Sequence, residues 1–510
     1  MRRHRVGLVA VVVVAGVLAV PGQAVAEPAA VTVLADQTLA TVPATGIGLN
    51  ASTYDPYVTD APVPGLVRQA GVRLMRFPGG TESDEYDWAT NTDVLSGAAQ
   101  ATGFDQFMDM AGRAGVQPMI TVNYGTGDTV GARRTPAETG AQVAADWVRY
   151  ANVVHHYHVK YWEIGNEVYG NDTYGAYWEP DDHCGSVPPA SQPTTCGPAT
   201  YARVAAEYVK AMKAVDPGIK VGIVLTAPGS WPDGITAPGS PQPWNQTVLS
   251  ALAGSVDFAD VHWYPQNPSN VTPPGPTDAG LLAATDQIPG IMSTLRGELG
   301  QYAGDAGLPV MLTETNSVSS NPGKQTVGTV NALYLEQDYL GWLSNGVSTV
   351  DWWQLHNGIG VTGDNGSELY GTADYGDYGV LSDATCATRS DGTQSCEPPA
   401  ETPFPAYWGL VLLGRFLHPG DRIVAASSSV APLRAYSVRG ADGSLRVMLV
   451  NDSPTTSYAV DLSYRGTTPG RATPTVSTLS GAGTAITTRR TGTPTRQTAA
   501  PYSVTLISLS

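Results

Sequence analysis

From Thr45 onward, short apolar, β-prone runs alternate with longer stretches in which apolar residues recur every three or four positions. The short runs lie near Ile47–Asn50, Val72–Phe77, Pro118–Tyr124, Tyr161–Glu167, Lys220–Leu225, Phe258–Tyr264, Val310–Glu314 and Thr349–Gln354. Helical periods fill Ala137–His155, Thr200–Val215, Leu281–Leu299 and Val327–Leu343, and a last one covers Phe404–Leu417. Strands buried on both faces read as unbroken apolar runs, and strands separated by helices predict a parallel sheet with crossover connections. Eight of them predict closure into a (β/α)8 TIM barrel, an α/β fold, over residues 45–417. Beyond it Leu433–Val438, Leu445–Asn451, Tyr458–Leu462 and Tyr502–Leu509 are rich in Ser, Thr and Val and have little helical period. That texture predicts an accessory antiparallel β-sandwich over residues 418–510. Val31–Val42 shares it, so residues 27–44 are expected to add a strand or two to the sandwich, whereas Gly466–Thr498 reads either as long loops or as weak edge strands.

The start of the chain is of another kind. Arg2, Arg3 and Arg5 precede an apolar run from Val6 to Val20, and Ala24-Val25-Ala26 supplies small residues before Glu27. This is the layout of a secretory signal peptide over residues 1–26, so a secreted, extracellular protein is expected. The run is short for a bilayer span and is followed by Pro21 and Gly22, so no membrane association is expected once the leader is cleaved. The formal charge of −17 opposes binding to phosphate backbones, which excludes nucleic acid as a partner class. With 42% hydrophobic and 14% charged residues, the chain can bury a large core. Export makes disulfides permissible, and pairing of near neighbours, Cys184 with Cys196 and Cys386 with Cys396, is the simplest of the three connectivities open to four cysteines. Neither pair has the close spacing of a zinc site, and no metal or organic cofactor is expected.

Two carboxylates stand where a barrel places its chemistry. Glu167 closes Tyr161-Trp162-Glu163-Ile164-Gly165-Asn166-Glu167, and Glu314 lies in Thr313-Glu314-Thr315-Asn316-Ser317. On the strand count these end strands four and seven, on the rim where (β/α)8 enzymes hold their catalytic groups. The long Pro- and Gly-rich segments Tyr169–Pro198, Thr226–Gln246, Pro265–Gly280 and His356–Pro403 follow strand ends and so fall on the same rim. A pair of carboxylates flanking a shaped cleft is the equipment of glycoside hydrolysis, in which one protonates the leaving oxygen and the other attacks the anomeric carbon or activates water. A G-x-S-x-G elbow is absent, which argues against an esterase.

Four segments, in order, then resemble retaining glycoside hydrolases of clan A. Glu163-Ile164-Gly165-Asn166-Glu167 is similar to the clan's Asn-Glu signature, and Thr313 to Ser317 resembles its strand-seven segment. Arg76-Phe77-Pro78-Gly79-Gly80, with Asp84, Tyr86 and Trp88, resembles the strand-two segment of α-L-arabinofuranosidases (family 51) and β-glucuronidases (family 79). His262-Trp263-Tyr264 is similar to the strand-six His-x-Tyr. The resemblance spans Ile47 to about Leu417 and implies Glu167 as acid/base and Glu314 as nucleophile. It also implies a carbohydrate substrate, foremost α-L-arabinofuranosyl side chains of polysaccharide. The alternatives are a β-glucuronidase-like or other clan A glycosidase, endo-acting ones included, or a non-catalytic carbohydrate-binding protein.

The supporting residues follow from those roles. Arg76 is either the cation that keeps Glu314 ionised or a structural ion-pair partner, and Tyr264 is a donor to Glu314. Asn166 is expected at the sugar's 2-hydroxyl, and His262 either contacts sugar or is a satisfied rim histidine. Asn123 and Tyr124 at the strand-three end are candidates for hydroxyl contacts, Trp353, beside Gln354 and His356, for stacking, and His356 for a substrate contact. Glu82 and Asp84 either bind sugar hydroxyls or cap a helix. Glu163 alternates with Ile164 and is expected to point into the barrel in a structural role.

Overall fold

A computed structural model of the chain describes residues 26–170, 181–184, 197–228, 243–266, 277–362 and 373–509. Eight parallel strands close into a barrel: Ile47–Asn50, Leu74–Phe77, Gln117–Val122, Tyr161–Ile164, Lys220–Leu225, Phe258–Trp263, Val310–Thr315 and Val350–Trp352. They succeed one another around the barrel in chain order, the eighth pairing with the first. The predicted strands are therefore present in the predicted order. The predicted helix over Leu281–Leu299 is two, Asp278–Ala284 and Ile288–Glu298, and Pro289 sits at the start of the second. Proline is pre-organised for a helix's first turn and cannot donate inside one, so the break falls where it stands.

Alternation along the strands sorts the barrel interior into layers. Leu74, Met119, Phe258 and Met311 form an apolar plug at the N-terminal end. Two residues further along the same strands come Arg76, Thr121, Asp260 and Thr313, joined by Glu163 and Asp351, all buried. The next layer is the rim, with His262. Small residues make room for this filling. A Cβ on Gly48 would lie 1.6 Å from Asp351 Oδ1, and one on Gly222 would lie 2.0 Å from the Phe258 ring. Gly48→Ala should therefore displace a fully buried carboxyl. The expected cost is about 1–3 kcal/mol, read as a lower melting temperature; an unchanged one would show that the interior can yield.

The accessory unit is one continuous sheet of nine strands. Its edge strand Arg496–Ala499 comes back toward Leu445–Asn451 and Ser503–Leu509, so the sheet curls over its own core. Inside lie Val31, Val33, Val447, Leu449, Val460, Leu462 and Ile507. The opposite face of the same strands, Met448, Val450, Val504 and Leu506, joins the core of the barrel's helical layer. The long strand Glu27–Thr41 is interior to the sheet, antiparallel to Arg422–Ser428 and parallel to Tyr458–Arg465. Residues 466–498, open between loop and strand, hold Thr475–Ser480 and Ile486–Arg490 as an edge hairpin. Among the described residues no helix is long and apolar enough to cross a membrane.

Candidate active site

Glu314 reaches the cleft through an irregularity in its strand. Pairing with the sixth strand runs in register to Leu312–Val261 and resumes at Glu314–His262, with an extra residue between. A bulge of this kind re-aims side chains beside active sites. It lets Thr313 turn inward to Glu163 (3.2 Å), Glu314 face the cleft, and Thr315 turn outward to Asp338. Glu167 stands three residues past its strand's end rather than on it. The chain turns through Gly165 (φ 74°) and Glu167 itself has φ 41°. A Cβ at Gly165 would meet Val168 Cγ2 at 2.7 Å and Tyr124 Cβ at 2.8 Å. A glutamate in left-handed backbone is held there by its surroundings, the kind of strain that gathers at functional sites. Asp84 supplies the clamp. Its carboxylate accepts from the backbone N–H groups of Tyr124 (3.0 Å), Gly125 (2.9 Å) and Asn166 (3.0 Å), tying the turns after strands three and four to the segment after strand two.

The carboxylate oxygens of Glu167 and Glu314 and a ring nitrogen of His262 all lie within 4.8 Å of one another. His262 Nδ1 is 2.9 Å from Glu167 Oε1 and 3.8 Å from Glu314 Oε2. Tyr169 donates to Glu167 Oε1 (3.1 Å), and Tyr264 donates to Glu314 Oε1 (2.5 Å). Arg76, fully buried, donates from Nε to Glu163 (2.6 Å), from Nη1 to Asn50 (3.1 Å) and Glu314 (3.2 Å), and from Nη2 to Asn166 (2.8 Å). It thus fills both roles left open for it, as cation to Glu314 and as structural ion-pair partner. The trio is close enough to hold a cation, but each member already has protein partners.

The electrostatics follow from this wiring. Burial pushes the Glu314 carboxyl up, and the Glu167 charge adds to it against the pull of His262 and Arg76. Burial would also raise Glu167, but the hydrogen bond and charge of His262 reverse this and hold it below its ordinary value. His262 would be lowered by burial, yet Glu314 and Glu167 hold it above the usual imidazole range. The wiring therefore favours a proton on His262 over one on Glu167. Beneath it, burial and the Glu163 charge push the Asp260 carboxyl well above the usual range. Burial alone would raise Glu163, but Arg76 brings it down to about 2.

The remaining candidates divide. Trp353 lies over the double glycine, where a Gly80 Cβ would meet Trp353 Cη2 at 2.5 Å and Glu82 Oε2 at 3.2 Å, so Trp353 and Glu82 line one place. Asn123 is spent within its own turn, donating to Tyr86 O (3.1 Å) and Thr126 Oγ1 (3.0 Å) and accepting from the Thr126 N–H (2.9 Å). Tyr124 is buried among Tyr201, Tyr208 and His183. His356 is buried too, with Nδ1 2.8 Å from Asp55 and Nε2 3.4 Å from Glu401. Hydroxyl-binding residue types at strand ends can equally tie loops together, and here these three do. Cys386 and Cys396 form a disulfide across a two-stranded hairpin, whereas the Cys184–Cys196 pairing falls outside the described residues. Sequence reasoning passed over Asn50, which holds Arg76, and the Ser52–Gln354–Tyr54 chain of hydrogen bonds beside Trp353. An asparagine ending a buried strand was the available signal for the first.

No family model matches the chain. In sequence it is 25% identical over 240 residues to the probable α-L-arabinofuranosidase C of Aspergillus clavatus, covering 41% of each protein. It is 27% identical over 215 residues to the intracellular exo-α-(1→5)-L-arabinofuranosidase of Halalkalibacterium halodurans, covering 39% of this chain and 38% of that one. The match thus spans about two-fifths of these curated relatives. In fold, the Thermotoga maritima α-L-arabinofuranosidase in complex with arabinose aligns over 94% of this chain and 99% of that one, with TM-score 0.67 and 18% identity. A Paenibacillus polymyxa xyloglucanase of family 44 aligns over 95% of this chain and 100% of its own, with TM-score 0.65 and 13% identity. The likeness to family 79 rests on the motifs alone. Over about two-fifths of its length the chain's sequence relatives are α-L-arabinofuranosidases, and over nearly all of it the chain shares the fold of clan A glycoside hydrolases such as those of family 51.

Proposed function

We propose that the chain is a secreted, retaining α-L-arabinofuranosidase acting on polysaccharide side chains, with Glu314 as nucleophile and Glu167 as acid/base. The observation that carries this is the approach of the two carboxylates to within 4.8 Å. Retaining enzymes hold the pair about 5–5.5 Å apart, whereas inverting ones leave about 6.5–9.5 Å for a water. The first step forms an ester between Glu314 Oε and the anomeric carbon as the glycosidic bond breaks and Glu167 gives its proton to the leaving oxygen. In the second step Glu167 takes a proton from water, whose oxygen displaces Glu314.

Glu167 needs a proton for the first step, and His262 holds one 2.9 Å away. A sugar filling the cleft excludes water from Glu167, raises its proton affinity and draws that proton across. Arg76 and Tyr264 stabilise the Glu314 carboxylate until attack neutralises it. The sugar is inferred from the names of the sequence relatives, and export from the leader-like residues 1–26. The test is a panel of nitrophenyl glycosides, including α-L-arabinofuranoside, β-D-glucuronide and β-D-xyloside, with the first product anomer followed by NMR. Cleavage of the arabinofuranoside with the α-anomer released first is expected. Release of the β-anomer first would rule out the double displacement.

A further inference from the structure

The cleft has acids to spare and no cation to spare. Arg76 is entirely engaged by Glu163, Asn50, Glu314 and Asn166. The rim segments 51–62, 78–103, 165–197, 226–243 and 264–277 contain neither lysine nor arginine. Of the cations on the remaining rim segments, Arg134 pairs with Asp87 and Glu138, Arg133 donates to Val94 O, Arg389 pairs with Asp374, His356, raised to about 9, is taken by Asp55 and Glu401, and Lys324 points to solvent. Glu82 stands among these acids with its own backbone N–H as its one hydrogen-bond donor among the described residues. It follows the double glycine in a single turn, Thr81–Asp84, with its carboxyl beside Trp353. Among the described residues it meets no cation and no side-chain donor. The titratable groups that act on it or feel it are Glu314 from strand seven, Asp93 and Glu85 from its own loop, and Tyr54 from the loop after strand one.

We propose that Glu82 sets the charge of the sugar admitted to the glycon site: its carboxyl, which has no counter-charge, takes up hydroxyl groups and turns away a uronic acid. This rests on reading Glu167 and Glu314 as the reacting pair, since they place the glycon beside Glu82. As a carboxylate, Glu82 accepts from a hydroxyl and repels a second carboxylate; as an acid it donates to either. Burial, with the Glu314 and Asp93 charges adding, raises it to about 7, so rejection strengthens as pH rises through that value and relaxes below it.

L-Arabinose and D-galacturonate are the probes, because their pyranose rings differ only by the carboxylate. Binding of each to the full chain is measured by calorimetry at low salt and at about pH 8, for the wild type, Glu82→Gln and Glu82→Ala. The wild type should bind the uronate about tenfold or more weakly than arabinose, and both variants should narrow that gap about tenfold. Failure of arabinose to bind the wild type overturns the proposal, as does the absence of a gap. So does a gap unchanged in variants that melt cooperatively. Nitrophenyl α-L-arabinofuranoside hydrolysis separates the two readings. A narrowed gap without hydrolysis upholds the charge selection and sinks the arabinofuranosidase; hydrolysis with an unchanged gap does the reverse.

Discussion

Glu314→Gln should lower kcat on nitrophenyl α-L-arabinofuranoside by roughly 10⁴-fold or more while leaving KM within a few fold. The amide fills the same space beside Tyr264 and Arg76 but cannot form the glycosyl ester, so the loss falls on the chemical step. Glu167→Ala should behave differently. General acid and base catalysis contributes about 10²–10⁴-fold, and nitrophenolate leaves with little help, so the first step survives and the glycosyl-enzyme accumulates. Azide needs no general base and should restore turnover, giving a glycosyl azide of retained configuration. Azide rescue of Glu314→Gln instead, or more than about one per cent of wild-type kcat in that variant, would exchange the two roles or remove them.

The second large effect lies one layer deeper. Arg76→Met should destabilise the protein by about 3–5 kcal/mol at neutral pH, because it strands Glu163 as a buried charge. In the wild type, Arg76 holds Glu163 near 2, below its ordinary value of 4.5. A lowered carboxyl adds stability that is fully present above the unfolded value and is lost as pH falls through the folded one. Its share is about 3 kcal/mol, present above about pH 4.5 and lost toward pH 2. Without Arg76 the sign reverses, and Glu163 destabilises the fold until it is protonated. The deficit of Arg76→Met should therefore shrink as pH falls, and Arg76→Met with Glu163→Gln should recover part of it. Denaturant unfolding at two pH values measures both. A deficit independent of pH would mean that Arg76 acts through packing alone.

The barrel was legible because its strands are short apolar runs and its helices carry a clear period. Ile47–Asn50 and Lys220–Leu225 were placed to the residue. That Glu167 and Glu314 meet on one rim was legible because each lies at or just beyond the C-terminal end of a buried run. The route by which they reach the cleft was not. A bulge between Leu312 and Glu314 and a left-handed glutamate at 167 answer to tertiary packing, and neither disturbs the local pattern. Asn123, Tyr124 and His356 sit at strand ends like the candidate catalytic pair, and only their surroundings set them apart: protein hydrogen bonds for Asn123 and His356, a buried aromatic cluster for Tyr124. The raising of Asp260 by the Glu163 charge joins residues nearly a hundred positions apart, and no spacing rule reaches that far. The accessory unit was expected as two layers. Alternation specifies which side of a strand is buried, but not whether the strands belong to one curled sheet or to two.

The place of Glu27–Thr41 carries a further consequence, for the order in which the molecule can be made. This strand leaves the ribosome roughly 400 residues ahead of its two neighbours, Arg422–Ser428 and Tyr458–Arg465. At about 5–20 residues per second, the roughly 400 intervening residues keep it waiting for some 20–80 s. During that interval a long β-prone segment presents open hydrogen-bonding edges, while the barrel behind it gathers its own strands in sequence. The accessory sheet is thus a seam that closes only after every barrel strand has been made.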